Sequence, residues 1–398
     1  MDIYLLEWLN LLVRWLHVIA GIAWIGSSFY FIWLDNSLRP APGGGEDGVA
    51  GEVWSVHGGG FYHARKFSTA PSPLPSPLHW FKWEAYTTWI SGFFLTVLIY
   101  WYGASVYLVD PAVLDIAPGA AVGIAAAFIV GGWVIYDQLC KSPLGRDDRV
   151  LAALIFVLVC ALAWGLCQVF GGRAAYLHFG VVLGTIMVAN VAHIIIPGQR
   201  RMVAALEKGE PVDPDDGRKG KQRSVHNTYF TLPVLFTMTS NHFAMTYSHE
   251  YNWLILIAIS LAGALIRVYF VARHTATARP VTLVAAGVLL LAVIVAIAPR
   301  PTASTAVVSA SIDEVRGVVL ARCTNCHAEV PSHPSFPSPP AGVVLESEAD
   351  ILANATRVYQ QTVVLRAMPI GNLTGITEEE RALVARWYES LDTMTDHE

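Results

Sequence analysis

The chain has 398 residues, of which 54% are apolar and only 14% charged, with 13 tryptophans and a mean hydropathy of +0.46. That balance excludes an ordinary soluble domain, where about a quarter of residues are charged. The net charge of −5, with the basic residues gathered into connections, argues against nucleic acid as a partner.

A helix that crosses a bilayer needs about 20 mostly apolar residues. Stretches centred on Ile22, Phe94, Phe128, Val157, Thr185, Val234, Leu256 and Leu290 satisfy this. They predict an all-α fold with a polytopic membrane bundle of eight spans over residues 1–300. A short tether follows at 301–308, and a small domain at 309–398. The first apolar run lacks a basic leader and an obvious small-residue cleavage site, so it reads as a retained helix rather than a signal peptide.

The connection from Asp35 to His79 is much longer than the others. Within it Val53-Trp54-Ser55-Val56-His57 alternates, Gly58-Gly59-Gly60 turns, and Phe61 to Phe67 alternates back, which reads as a hairpin. It is either a cap over the helix ends or a lid presenting His57, Tyr62 and Lys66 to a ligand. Pro71, Pro73, Pro75 and Pro77 then stiffen the approach to the second span.

Basic residues mark one side. Arg39, Arg65, Lys66 and Lys82 fall in this long connection, Lys141, Arg146 and Arg149 in the third, and Arg200 to Arg223 supply seven more. Arg273 and Arg279 complete the set, while the alternate connections carry Asp110, Asp115, Arg173 and Glu250. Positive connections stay in the cytoplasm. Eight spans then place the N-terminus and the C-terminal domain in the periplasm, with the bundle in a bacterial inner membrane.

Polar groups inside spans are costly and are functional candidates by default. His17, His178 and His242 fall toward the outer side; His193 and His226 fall toward the cytoplasmic side. His178 and His193 are separated by roughly 22 Å of helix. Two histidine layers suit b-type haem held between helices, and each histidine equally suits a plain hydrogen bond to a neighbouring helix. Asn190, Asn227 and Arg267 are further candidates; Arg267 either binds an anion or snorkels to the surface. Cys140, Cys160 and Cys167 have no metal-ligand spacing. No adjacent histidine pair is present, which disfavours a haem-copper oxidase core.

The C-terminal domain opens with a helix from Ile312 to Ala321. Cys323-Thr324-Asn325-Cys326-His327 follows, the C-x-x-C-H signature of c-type haem attachment. Cys323 and Cys326 would form the thioether links and His327 the first axial bond. Met368, in the loop Ala367-Met368-Pro369-Ile370-Gly371, is the candidate second ligand, the Met/His pair of cytochromes c. Pro331 to Pro340 reads as a loop round the haem edge. Thr377-Glu378-Glu379-Glu380 opens a terminal helix with a capping box. The whole is the plan of a class I cytochrome c carrying one covalent haem c. Haem c is attached outside the cytoplasm, which agrees with the charge pattern.

Several segments resemble the membrane-bound urate oxidase family: Arg14 to Gly26 in the first span, Gly58-Gly59-Gly60-Phe61-Tyr62, His79 to Tyr86, Asn190 to Pro197 and His226 to Pro233. That family joins an eight-helix membrane domain to a C-terminal cytochrome c. The resemblance implies an oxidoreductase of purine catabolism that converts urate to 5-hydroxyisourate. Electrons would pass through haem c to a respiratory acceptor, a soluble cytochrome c or a terminal oxidase, without hydrogen peroxide. With urate arising in the cytoplasm, the hairpin side is the expected substrate side, and b-type haems would carry electrons across. Candidate substrate contacts are then His57, Tyr62, Asn190, Asn227 and Arg267; no catalytic residue of the bundle carries over. The rival is a quinol-linked or non-catalytic respiratory subunit with a fused cytochrome c.

Overall fold

A computed structural model describes residues 3–40, 48–68, 71, 73–273, 279–298 and 310–395. The tether expected at 301–308 lies outside the described residues. Helix α1 (Ile3–Ser37) leaves Leu5, Trp8, Leu12, Trp15, Ile19 and Ile22 exposed. An apolar face of that length is stable only against lipid or another chain.

The hairpin forms where alternation placed it, with its first strand four residues longer. Strand β1 (Val49–His57) pairs antiparallel with β2 (Gly60–Phe67), Trp54 opposite His63 and Val56 opposite Phe61. Gly58 and Gly59 both hold positive φ, +57° and +80°; a two-residue turn of this kind matches the strand twist and favours glycine. Lys66 Nζ reaches Asp35 Oδ1 at 2.8 Å, and the Arg39 and Glu52 backbones exchange hydrogen bonds. These contacts tie the hairpin to the end of α1.

Helix α2 (Trp83–Leu95) widens into a π-helical turn, Thr96–Trp101, ahead of the short α3 (Ala104–Tyr107). Helices α4 (Pro118–Lys141) and α5 (Asp148–Val169) follow. The Asp147 carboxylate accepts from the Arg149 and Val150 amides to start α5. Helix α6 (Gly172–Ala189) runs through a second π-helical turn, Asn190–Ile195, into α7 (Ile196–Glu207). Pro197 has no N–H for the His193 carbonyl four residues back and crowds it. The wider turn relieves that crowding: Ile196 N donates five residues back, to Val191 O. Then come α8 (Pro214–Thr239), α9 (Ala244–Tyr247), α10 (Asn252–Ala272) and α11 (Pro280–Ala296).

Five described helical stretches are long and apolar enough to cross a membrane: α1, α4, α5, α6 with its continuation into α7, and α10. The other expected centres, Phe94, Val234 and Leu290, also fall on helices. Their helices have different faults: α2 is interrupted by the π turn, the first third of α8 is charged, and α11 has 17 residues. Helix α6 is the hub, packed by α2, α4, α5 and α8 and burying Tyr176, Phe179, Val182 and Ile186. Its Gly180 meets Thr237 of α8 so closely that a Cβ would collide. Such small-residue contacts are how helices associate in lipid, where apolar burial gives no preference.

The C-terminal module is separately cored. Helices α12 (Ile312–Arg322), α13 (Thr324–His327), α14 (Glu348–Ala353), α15 (Ala355–Tyr359) and α16 (Glu378–Thr395) close over Val315, Val319, Ile351, Val358, Val384 and Trp387. Capping boxes start α12 at Ser311 with Glu314 and α14 at Ser347 with Asp350. The Thr377 hydroxyl accepts from the Glu380 amide at the start of α16. The module docks on the bundle end that carries the α3–α4, α5–α6 and α8–α10 connections. At the contact, a Cβ on Gly371 would lie 3.3 Å from the Val109 carbonyl oxygen.

Candidate functional site

Cys323 ends α12, and the next turn returns on it: the Cys326 and His327 amides both donate to Cys323 O, at 3.1 and 2.9 Å. Both thiols and the imidazole therefore issue from one turn. His327 Nδ1 lies 2.9 Å from Val343 O. A carbonyl only accepts, so Nδ1 carries the proton and Nε2 keeps its lone pair for a metal, the usual support of an iron-binding histidine. Cys323, Cys326, His327 and Met368 line one cleft, closed by Phe336, Pro340 and Ile370 and almost wholly apolar. Burial pushes the Cys323 thiol up to about 11 and raises Cys326 as well. Neither is the activated thiolate of a disulfide exchanger. The Met368 loop is fixed from behind: Arg381, buried in α16, donates to the Met368 carbonyl at 3.1 Å and to the Thr362 carbonyl. Arg322 holds Glu380 and the Thr374 carbonyl, the latter at 2.6 Å. Two thiols on one turn, an imidazole of fixed tautomer, a thioether and apolar walls are a donor set that fits a covalently attached porphyrin.

The five intramembrane histidines occupy different settings. His17 Nδ1 donates to Thr88 O at 2.9 Å, with Ser91 Oγ at 3.1 Å. His178 is fully buried; its Nδ1 donates to Ala174 O at 2.8 Å, and its Nε2 has no partner among the described residues. His193 is exposed beside Trp133, and His242 is exposed at the module end of α8. His226 Nδ1 and Tyr136 Oη share a hydrogen bond of 2.7 Å. Among the described residues no ring contact joins two of these histidines, and no group of three His, Cys, Asp or Glu is placed to hold a bare metal ion.

Asn190 and Asn227 belong to one closed network with His226. Arg223 pairs with Asp137 at 2.8 Å, both side chains buried. Arg223 Nη1 also donates to Asn190 Oδ1 at 3.2 Å. Asn190 Nδ2 donates to Tyr136 Oη at 3.0 Å and to Asn227 Oδ1 at 2.9 Å, and Asn227 Nδ2 donates to Met187 O. Arg267 is buried with its guanidinium 3.7 Å over the Phe29 ring, and its Nε and Nη2 have no hydrogen-bond partner among the described residues. His57 and Tyr62 stand exposed on the hairpin.

Sequence reasoning missed a second compartment. Between the bundle end and the C-terminal module lies a polar cavity of about 620 Å³, bordered by Tyr107, Gln168, Arg173, Asn241, His242 and Tyr247. Its signal was present: Arg173 is the lone basic residue in otherwise bare connections on that side.

A helix bundle with five described stretches long and apolar enough to cross a membrane is that of a membrane protein. The family model described as Urate oxidase N-terminal matches residues 3–298, and the chain belongs to that family. No curated protein matches the chain, and no solved structure does.

Proposed function

We propose that this protein is a membrane-bound, cytochrome c-linked urate oxidase: eight spans in a bacterial inner membrane, with the N-terminus and a class I cytochrome c module on the periplasmic side. One combination carries the reading. The family match covers the bundle, and Cys323, Cys326, His327 and Met368 share one apolar cleft docked on that bundle. The charge bias of the connections supports the orientation.

Urate monoanion plus water gives 5-hydroxyisourate, one proton and two electrons; the oxygen added to the purine comes from water, so no peroxide forms. Cys323 and Cys326 would hold a haem, with His327 and Met368 as its ligands, and that group would supply a one-electron acceptor for onward transfer to a soluble cytochrome c or a terminal oxidase. The chain's own part is positional. Val343 fixes the His327 tautomer, Arg381 holds the Met368 carbonyl, Arg322 holds the Thr374 carbonyl, and Phe336 and Pro340 line the cleft.

The test is anaerobic addition of urate to membranes containing the protein while the reduced c-type absorption band is recorded. The band should appear, in step with urate loss and without peroxide. Reduction by quinol and not by urate would overturn the proposal in favour of a respiratory electron-transfer subunit.

A further inference from the structure

Resting on that reading, we infer that urate is bound and oxidised in the cavity between the outer end of the bundle and the C-terminal module, with Arg173 pairing with its negative charge. The substrate site then lies on the haem side of the membrane, opposite the hairpin.

Three observations carry this. The first is adjacency: Val106, Met368 and Ile370 line both this cavity and the Cys323–Cys326–His327 cleft. The two compartments share a wall about one side chain thick, and a ligand in the cavity lies against the Met368 loop. The second is chemistry. Arg173 Nε is buried and has no hydrogen-bond partner among the described residues, while its guanidinium lies 5.8 Å from the Tyr107 ring centre. Arg173 also borders the cavity, so a planar anion there can accept from the part of the guanidinium that faces it. Gln168 and Asn241 also border the cavity; Asn241 Oδ1 accepts from Tyr100 Oη at 3.5 Å, and amides of this kind suit the alternating carbonyl and N–H edge of an oxypurine. The Tyr107 and Tyr247 rings border the same space. The third is size and access. At about 620 Å³ the cavity falls in the range of small-molecule sites, roughly 300–1,000 Å³. Exposed Glu250 and Arg366 are among the residues that line it.

The other end of the bundle offers less. Lys66 is paired with Asp35, and His63 with Glu52. Arg267 lies on α10 fifteen residues beyond Asn252, which borders the cavity; that is roughly 22 Å of helix. Urate oxidised there would need a relay across the bundle. Urate oxidised in the outer cavity needs none.

The deciding experiment uses the purified full chain in liposomes, with the fraction of outward-facing C-terminal modules counted by external protease. Urate is an anion and crosses lipid slowly. External urate should reduce the c-type chromophore in the same fraction of molecules that the protease reaches. Reduction of the complementary fraction would place the site at the hairpin end and overturn the inference while leaving urate oxidation intact. Reduction in neither orientation, nor in detergent, would overturn the functional reading and this inference with it. A second measurement is radiolabelled urate binding to protein reduced beforehand with dithionite, so that no turnover occurs. Arg173→Gln should weaken binding by about tenfold or more, the scale of a lost charge-assisted hydrogen bond. Its melting temperature and chromophore spectrum should stay those of the parent. Unchanged binding in a folded Arg173→Gln protein would also overturn the inference.

Discussion

Two polar clusters of the bundle differ in how fully they are paired and in whether they border open space. At the hairpin end, Asp137, Arg223, Asn190, Tyr136, Asn227 and His226 form a chain in which each named donor finds an acceptor. At the module end, Arg173 Nε and His178 Nε2 are buried and unpaired among the described residues, as Arg267 Nε and Nη2 are nearer the hairpin end; of the three residues, Arg173 borders the open cavity. A satisfied network fixes how helices meet; an unsatisfied one beside a cavity is incomplete until a ligand arrives. Membrane burial sharpens the contrast, because lipid offers no substitute partner.

The largest effect should come from outside both regions. His327→Ala removes the proposed axial ligand, whose ring Val343 O orients, and Cys326→Ser removes one proposed thioether link. Either should abolish urate-dependent reduction, and the second should lower the thioether-bound chromophore seen by haem stain on a denaturing gel. Next is the satisfied network. Asp137→Ala leaves Arg223 buried and unpaired, at a cost of about 3–5 kcal/mol. It should appear as poor yield and a lower melting temperature in detergent, while surviving protein binds urate with unchanged affinity. A urate-specific defect without destabilisation would move the substrate site to the hairpin end and break the comparison. Smaller is Arg173→Lys, which keeps the charge and loses the fork: urate affinity should fall about tenfold, or about 1.4 kcal/mol, with melting unaltered.

The smallest effects lie in the caps of the module. Ser347→Ala should cost about 1 kcal/mol, read as an earlier loss of the module's helical signal. Hydrogen bonds from the Ser347 hydroxyl and amide hold the Asp350 carboxyl below its ordinary 3.8. Those from the Ser311 amide and hydroxyl hold Glu314 below 4.5. Depressed carboxyls stabilise the fold above these ordinary values and lose that contribution as pH falls through the folded-state values. Melting of the module should thus be flat from neutrality to about pH 5 and decline below pH 4; a melt that rises on acidification would contradict the caps.

What was legible in the sequence was local. The hairpin was readable because alternation flanks a glycine pair, and α12 and α16 because capping residues and apolar stripes agree. The motif at Cys323 by its spacing alone puts three groups on one turn. What was not legible was assembly. Nothing in spacing shows that Asp137 and Arg223 meet across α4 and α8. The π turn before Pro197 leaves only a proline inside an apolar run as its trace. Asn190 and Asn227 look like loose ligand-binding amides in sequence, and the fold ties them to each other. Arg173 was visible as a solitary charge, but its cavity is built from three connections and the Met368 loop, which no linear reading brings together.

The grip of Arg381 has a consequence for handling the protein. One guanidinium on the last helix anchors two carbonyls of the segment that walls off both compartments. Trimming the chain before Thr377 would release that segment and flood the cleft and the cavity together. Ligand capture and electron delivery should therefore disappear in a single step, although the bundle itself stays intact.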